Sequence, residues 1–456
     1  MTFITGEQLL LLAVPEQPRR QLADLMDYLN RPNNGCMRVC ALYGLRRTGK
    51  TTLLLQAIRQ LLAQGVPADQ IGYFTGMKSD TFDDLYLELE AQKGLRYIFI
   101  DEIGFFANFL QNGNYLYDTL VRLYGKKVVI AGTNLLALYV ASKNTLYDRC
   151  EVIRVPYLSF YEHCKFVLQT TAPTYGQFVE YMKSGGLFQP PEDIVDYVQT
   201  SIVNSIVELF ETQPEKEVFV WLKPESDKVN WKGYVNTALF LSTNYVSGKS
   251  FQAPVSLIHD AEVLDAQVTR RVAQEFKDYF SLSRKEREEQ MKKSETVALL
   301  DFLVHCGVIT VLPNLYGDTE PYKCYVQAPF LRFHFTEKLR RMADAQIADE
   351  HKPLFGDLVE AAVVSEYQLS HPTSDVCFAR THCPPGGDLV AEIDLIDRSE
   401  KQAFEVKLTD GHGYKGFSLL SDRKELQGCT FTLLEGEECM RQIYRWGEAS
   451  YEDKTT

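Results

Sequence analysis

The stretch Gly44-Leu-Arg46-Arg47-Thr48-Gly49-Lys50-Thr51 reads G-x-x-x-x-G-K-[ST] in full. Glycines at these positions let backbone N–H groups turn inward around phosphate oxygens, where a side chain would intrude. Lys50 would lie along the β- and γ-phosphates of a nucleoside triphosphate, and the Thr51 hydroxyl would ligate Mg²⁺. Arg46, Arg47, Thr48 and Thr52 belong to the same loop and first helical turn, and are assigned to the nucleotide with Gly44, Gly49 and Lys50. A second group with chemistry follows downstream. Asp101-Glu102 closes the apolar run Tyr97-Ile-Phe-Ile100, and this spacing suits an Asp that holds Mg²⁺ through water and a Glu that polarises the attacking water. An apolar run ending in Asp-Glu is common on its own; its place after a complete phosphate loop gives it meaning.

The elements that must position these groups are legible around them. Met37-Arg-Val-Cys-Ala-Leu-Tyr43 reads as a buried strand leading into the loop. Thr52 to Gln64 places Leu53, Leu54, Ala57, Ile58, Leu61 and Leu62 on one helical face, with Gly65 as a stop. That helix would aim its positive N-terminal end at the phosphates. Lys127-Val-Val-Ile-Ala131 reads as a further strand, ending at Thr133-Asn134. Asn134 is the favoured residue to stand between the acidic pair and the γ-phosphate, although the period leaves Thr133, or a plain turn, open. Alternation of short apolar runs with helical stretches from Met37 to about Val155 predicts an α/β domain with a mainly parallel sheet.

This constellation resembles the prokaryotic AAA-type ATP-binding proteins whose C-terminal part is DUF4143. The family reads G-x-R-[RQ]-x-G-K-T-T at the loop, and this chain matches from Gly44 to Thr52. The family's Gly-Arg pair followed by Pro-Leu-Ser-Phe-x-Glu corresponds to Asp148-Arg149 and Pro156-Tyr-Leu158-Ser159-Phe160-Tyr-Glu162, with the glycine replaced and a tyrosine added. Gly185-Gly186-Leu187 resembles a Gly-Gly-Leu-Pro turn with Phe188 in place of proline. Tyr322-Lys-Cys-Tyr-Val-Gln327 resembles the strand closing a winged-helix-like segment. The resemblance implies ATP hydrolysis. It also makes Arg149 a charge sensor or an arginine finger for a neighbouring subunit, where the bland alternative is a surface arginine.

Toward the C-terminus, Leu389 to Asp397 reads as a strand carrying Glu392 and Asp394, and Gln402 to Leu408 as a strand carrying Glu405 and Lys407. Helical periodicity from Leu354 to Leu369 includes Glu360. This set resembles the PD-(D/E)xK nuclease superfamily. Asp394 and Glu405 would together hold a hard divalent cation, Lys407 would position water or neutralise charge at a phosphate, and Glu360 would complete or support the metal sphere. Glu-x-Lys on an amphipathic strand is frequent without any of this chemistry. The superfamily also holds members kept for binding or structure, so a catalytically inactive scaffold remains open beside a nuclease.

Composition bounds the rest. The chain has 456 residues, 45% hydrophobic and 24% charged, an ordinary globular balance. No run approaches the roughly 18 apolar residues of a membrane span, and Leu9 to Val14 has neither the basic flank nor the cleavage site of a leader. Ten scattered cysteines without a C-x-x-C pair give no zinc site and suit a reducing, cytoplasmic setting. The net charge of -13 argues against a general nucleic-acid coat. The densest basic region, Arg270 to Lys293, is interleaved with acidic residues and reads as a solvated helix.

The expected fold class is α/β. Residues 1–35 form a helical segment, 36–164 a P-loop AAA-type parallel-sheet domain, 165–349 a helical, winged-helix-like domain, and 350–456 a restriction-endonuclease-like α/β domain. The expected function is ATP turnover, with ATP and Mg²⁺ as cofactors, controlling a nuclease-like end that acts on DNA, in defence or mobile-element biology. Its rivals are an ATP-driven binding protein and a purely conformational switch; a homo-oligomer or a protein partner is open, and a membrane is not expected.

Overall fold

The computed structural model describes residues 1–32, 37–132, 146, 148–204, 235, 239, 286, 300–304, 306–316, 322–335, 352–383, 390–407 and 415–455. The chain divides into two compact units: Met1–Tyr157 with Val195–Val220 and Tyr451–Thr456, and Leu158–Ile194 with Trp221–Ser450. Thr133, Asn134, most of the expected helical middle and, apart from Glu286, the basic region from Arg270 to Lys293 lie outside the described residues.

The first unit is built on a six-stranded sheet. Its strands are β1 (Thr2–Thr5), β2 (Val39–Tyr43), β3 (Ile71–Thr75), β4 (Tyr97–Asp101), β5 (Lys127–Ala131) and β6 (Cys150–Arg154), in the order β1-β3-β4-β5-β2-β6. β2 to β6 run parallel, and β1 alone is antiparallel, paired with β3. β2, β4 and β5 are buried along their whole length, which explains their unbroken apolar character. The extreme N-terminus departs from the helical expectation. Thr2, Ile4 and Thr5 favour a strand, Phe3 stacks on Phe74 at 4.5 Å, and the helix α1 begins only at Gln21, running to Asn30. Helix α2 (Lys50–Ala63) buries Leu53, Leu54, Ala57, Ile58 and Leu61 of the face expected from the sequence, with Leu62 only partly buried. Helix α3 (Phe82–Ala91) starts at a capping box in which Thr81 and Asp84 bond reciprocally.

The second unit holds a four-stranded sheet of β9 (Val376–His382), β10 (Val390–Asp397), β11 (Gln402–Lys407) and β12 (Thr430–Glu435), in the order β12-β11-β10-β9. β9, β10 and β11 pair antiparallel, whereas β12 joins β11 in parallel. A parallel pair needs a crossover, supplied here by the helix Lys415–Leu420. One core joins Leu358, Val359, Ala362 and Val363 of the helix Lys352–Ser370 to Phe404, Val406, Leu434 and Trp446. Another places Phe417 and Leu420 against Ala391, Ile393 and Ala403. A hairpin of β7 (Ile309–Pro313) and β8 (Tyr322–Val326) contributes Leu312 and Tyr325 to the first of these cores. The Pro-Tyr-Leu-Ser-Phe-Tyr-Glu stretch has a local structural role here, because Ser159 and Glu162 form a capping box. Among the described residues no helix is long and apolar enough to cross a membrane.

Candidate functional site

Strand β2 delivers the chain to Gly44, where a Cβ would lie 2.1 Å from the Val155 carbonyl oxygen, so no side chain fits. The loop then uses two left-handed residues, Arg47 at φ 63° and Gly49 at φ 89°, before α2 begins at Lys50. Long-range bonds hold this turn. Arg19, itself buried, donates to the carbonyls of Thr48 at 2.7 Å and Pro156 at 2.9 Å. The Tyr197 hydroxyl donates to the Arg46 carbonyl at 2.8 Å, and Thr48 closes the loop on Leu45 at 2.9 Å.

Lys50 is buried, and its ammonium donates to the carbonyls of Gly44 and Leu45, both at 2.7 Å. Burial lowers its pKa to about 8, although the nearby carboxylates of Glu102 and Asp101 favour the charged form. Across the sheet, β5 lies between β2 and β4, yet the first turn of α2 reaches the end of β4. Thr51 Oγ1 donates to Asp101 Oδ2 at 2.6 Å, and the Tyr73 hydroxyl reaches the same oxygen at 3.2 Å. Asp101 Oδ1 accepts the Glu102 N–H at 3.0 Å, and Glu102 sits in the left-handed region at φ 53°.

These residues fit a Mg-nucleotide. The cradle at Gly44 is closed to side chains, Arg46 Nε is buried without a hydrogen-bond partner, and a hydroxyl and a carboxylate already meet where a hard cation would sit. Arg149 stands elsewhere. It precedes β6, whose register pairs Val39 with Cys150 and Tyr43 with Arg154. Arg149 is therefore at the opposite end of the strands from Gly44, six residues or about 20 Å away at roughly 3.3 Å per residue. Its guanidinium pairs with Asp118 at 3.1 Å and lies over the Tyr117 ring. That position does not serve this chain's own phosphate loop.

In the second unit the structure brings Glu360, Glu392 and Asp394 together, with one oxygen of each within 4.8 Å of the others. The cation that reaches all three is Lys323 of β8, with Arg380 at 3.8 Å from Glu392 alone. Its ammonium is 2.8 Å from Glu360, contacts Glu392, and is 3.8 Å from Asp394. Tyr325 donates to the same Glu360 oxygen at 3.0 Å, and Asp394 Oδ2 accepts the Val406 N–H at 2.8 Å. Burial opposes a charge on Lys323, but the surrounding carboxylates, led by Glu360, push its pKa up. Burial and the proximity of Glu360 raise Asp394 to about 7. Burial also opposes ionisation of Glu392, yet contact with Lys323 keeps its pKa below the usual carboxylate range. Glu405 does not join this group. It pairs with Lys407 at 3.0 Å, and its Oε2 is buried without a hydrogen-bond partner. This donor set does not fit the divalent ion expected on Asp394 and Glu405: the convergent oxygens face a buried ammonium, and Glu405 points its charge at Lys407.

Several functional residues carry no sequence signal. Arg19 and Tyr197 reach the loop and Tyr73 reaches Asp101, all from far along the chain, and no spacing links them to the site. Glu392 was accessible, being two residues from Asp394 on a strand and so on the same side in a regular pleat. Lys323 is a lone cation within the apolar run of β8, and that was its only signal.

Residues 37–164 match the model of the AAA domain family. Among curated proteins none matches the sequence. Solved structures align loosely. AMPPCP-bound DnaA from Aquifex aeolicus aligns at 15% identity and TM-score 0.28, over 65% of this chain and 90% of that one. A closed state of Hsp104 with ATPγS and FITC-casein aligns at 18% identity and TM-score 0.22, over 59% of this chain and 43% of that one. At those TM-scores neither alignment bears on fold or function. The family match and the loop's geometry together make residues 37–164 an AAA-type P-loop domain.

Proposed function

We propose that this chain binds and hydrolyses ATP at Gly44–Thr52, and that its nucleotide state governs a C-terminal α/β unit that grips a partner. The observation that carries the ATP reading is the direct bond between Thr51 and Asp101 beside a glycine cradle that no side chain can enter. Lys50 would exchange its two loop carbonyls for the β- and γ-phosphates. Thr51 and Asp101 would hold Mg²⁺, which when bound neutralises charge on the phosphate oxygens. Glu102 would orient the attacking water, and Arg46 Nε offers a donor still to be used. Asn134, just beyond β5, remains the candidate between the acidic pair and the γ-phosphate. Arg149 lies beside the edge strand β6, remote from its own loop, and would act on the site of a neighbouring copy in a homo-oligomer.

For the C-terminal unit the sequence leaves open a nuclease using Asp394, Glu405, Lys407 and Glu360, and an inactive scaffold of the same fold. Lys323 among the carboxylates favours the scaffold. DNA is the partner that the resemblance to nucleases suggests, and a role in defence or mobile-element biology would follow from it.

A fluorescent ATP analogue tests the nucleotide half. Wild type and Glu102→Gln should bind it tightly and Lys50→Ala should not; equal binding by all three removes the site assignment. Titration with duplex DNA across salt tests the partner half: a steep loss of affinity with salt supports nucleic acid, and negligible binding at low salt argues for a protein.

A further inference from the structure

We propose that Lys323 is the resident cation of the Glu360–Glu392–Asp394 cluster, standing where three converging carboxylates would otherwise take up a divalent metal ion. The proposal deepens the scaffold reading of this unit by giving the physical reason that it works without a metal.

Three observations carry it. The first is convergence: one oxygen from each of Glu360, Glu392 and Asp394 lies within 4.8 Å of the others, a spacing that could surround a single ion. The second is occupancy. The Lys323 ammonium touches Glu360 and Glu392 and stands 3.8 Å from Asp394, while its side chain is only 2% exposed. An ammonium and a Mg²⁺ ion cannot share this space, because the metal requires oxygens at roughly 2.0–2.1 Å and keeps several waters.

The third is permanence. Lys323 does not hang on a loose strap. Its neighbours Cys324, Tyr325 and Val326 are all buried, and Tyr325 belongs to the same core as Leu358, Val359 and Phe378. Just past β7, Asn314 bonds the Arg380 backbone in both directions: its Nδ2 donates to the carbonyl at 2.9 Å and its Oδ1 accepts the N–H at 3.1 Å. Leu315 adds a backbone bond to Phe378 at 2.7 Å, and the ammonium lies 5.3 Å from the Phe378 ring centre. Withdrawing the lysine would mean unseating the hairpin from the core. Three carboxylates gathered so closely, Asp394 buried and Glu360 and Glu392 partly exposed, repel one another, and a fixed internal cation relieves that repulsion as a metal would.

The test is thermal unfolding of the full-length, nucleotide-free protein with and without millimolar Mn²⁺. Wild type, Lys323→Met, and Lys323→Met combined with Asp394→Asn are compared. Methionine keeps the length of the side chain and removes its charge. The proposal expects no Mn²⁺ shift for wild type and a midpoint rise of about 2–4 °C for Lys323→Met, lost again when Asp394 is also replaced. A folded Lys323→Met protein that ignores Mn²⁺ would overturn it. Should Lys323→Met not fold, calorimetric titration of Mn²⁺ into wild type and Asp394→Asn decides. Identical titrations support the proposal, and a wild-type site missing from Asp394→Asn overturns it. Metal uptake at this cluster speaks to the proposal alone. Failure of the ATP reading would show separately, as absence of ATP binding, and failure of the scaffold reading as DNA cleavage.

Discussion

Raising the pH should weaken ATP binding, and the size of the effect follows from the setting of Lys50. In the nucleotide-free protein Lys50 is buried, donates to its own loop carbonyls with the Glu102 and Asp101 carboxylates nearby, and has its pKa lowered by burial to about 8. Phosphate oxygens demand the ammonium form, so binding above that pH must take up a proton. The sign is fixed. A depressed lysine pKa leaves the binding-competent cation abundant at pH 7 and scarce at pH 9. The competent fraction falls by about tenfold over that interval, and the apparent dissociation constant rises by the same factor. This corresponds to about 1.4 kcal/mol. A terminal phosphate ionises near pH of about 6, below the window, so the nucleotide contributes little of the change. Isothermal titration with a non-hydrolysable ATP analogue at half-unit steps would measure it. Affinity that stays flat from pH 7 to 9 would refute the reasoning, because it would mean that Lys50 is not the group that titrates.

Other perturbations follow from individual contacts. Gly44→Ala should abolish nucleotide binding, since the added Cβ meets the Val155 carbonyl at 2.1 Å and the loop must move; fluorescent-nucleotide titration reads this. Tyr73→Phe removes one bond to Asp101 and should lower Mg²⁺-dependent turnover by a few-fold, matching a hydrogen bond of about 0.5–1.5 kcal/mol; a turnover change beyond about a hundredfold would instead give Tyr73 a direct part in the chemistry. Arg19→Met leaves the buried carbonyl of Thr48 and the part-buried carbonyl of Pro156 without this donor. It should lower the thermal midpoint, at a cost of about 1–3 kcal/mol for the buried Thr48 carbonyl, as well as weaken ATP binding.

The sequence exposes what is local and hides what is not. Gly44, Gly49, Lys50 and Thr51 are legible because the loop's chemistry depends on fixed short spacings, and the faces of β2 and α2 repeat with the periods of their elements. Asp101 follows from its place after an apolar strand. Strand order is hidden, because it is set by packing between elements distant in the chain. Hidden too are Arg19, Tyr73 and Tyr197, each of which meets the loop or its acidic partner only after folding. The N-terminal strand β1 escapes notice because four residues carry too little pattern, and it is fixed by pairing with β3. In the C-terminal unit the strands of Asp394 and Glu405 are legible, but their partners are not. Periodicity places Glu405 and Lys407 on one side of a strand, and they do pair; it cannot tell that a lysine from another hairpin takes the centre of the acidic group.

The most direct test of the account is steady-state phosphate release from ATP, measured for wild type and Glu102→Gln in Mg²⁺ and in EDTA. The account predicts Mg²⁺-dependent turnover by wild type, lost about 10²–10⁴-fold in Glu102→Gln while nucleotide binding persists. Turnover that survives Glu102→Gln unchanged, or that wild type never shows in Mg²⁺, would contradict it.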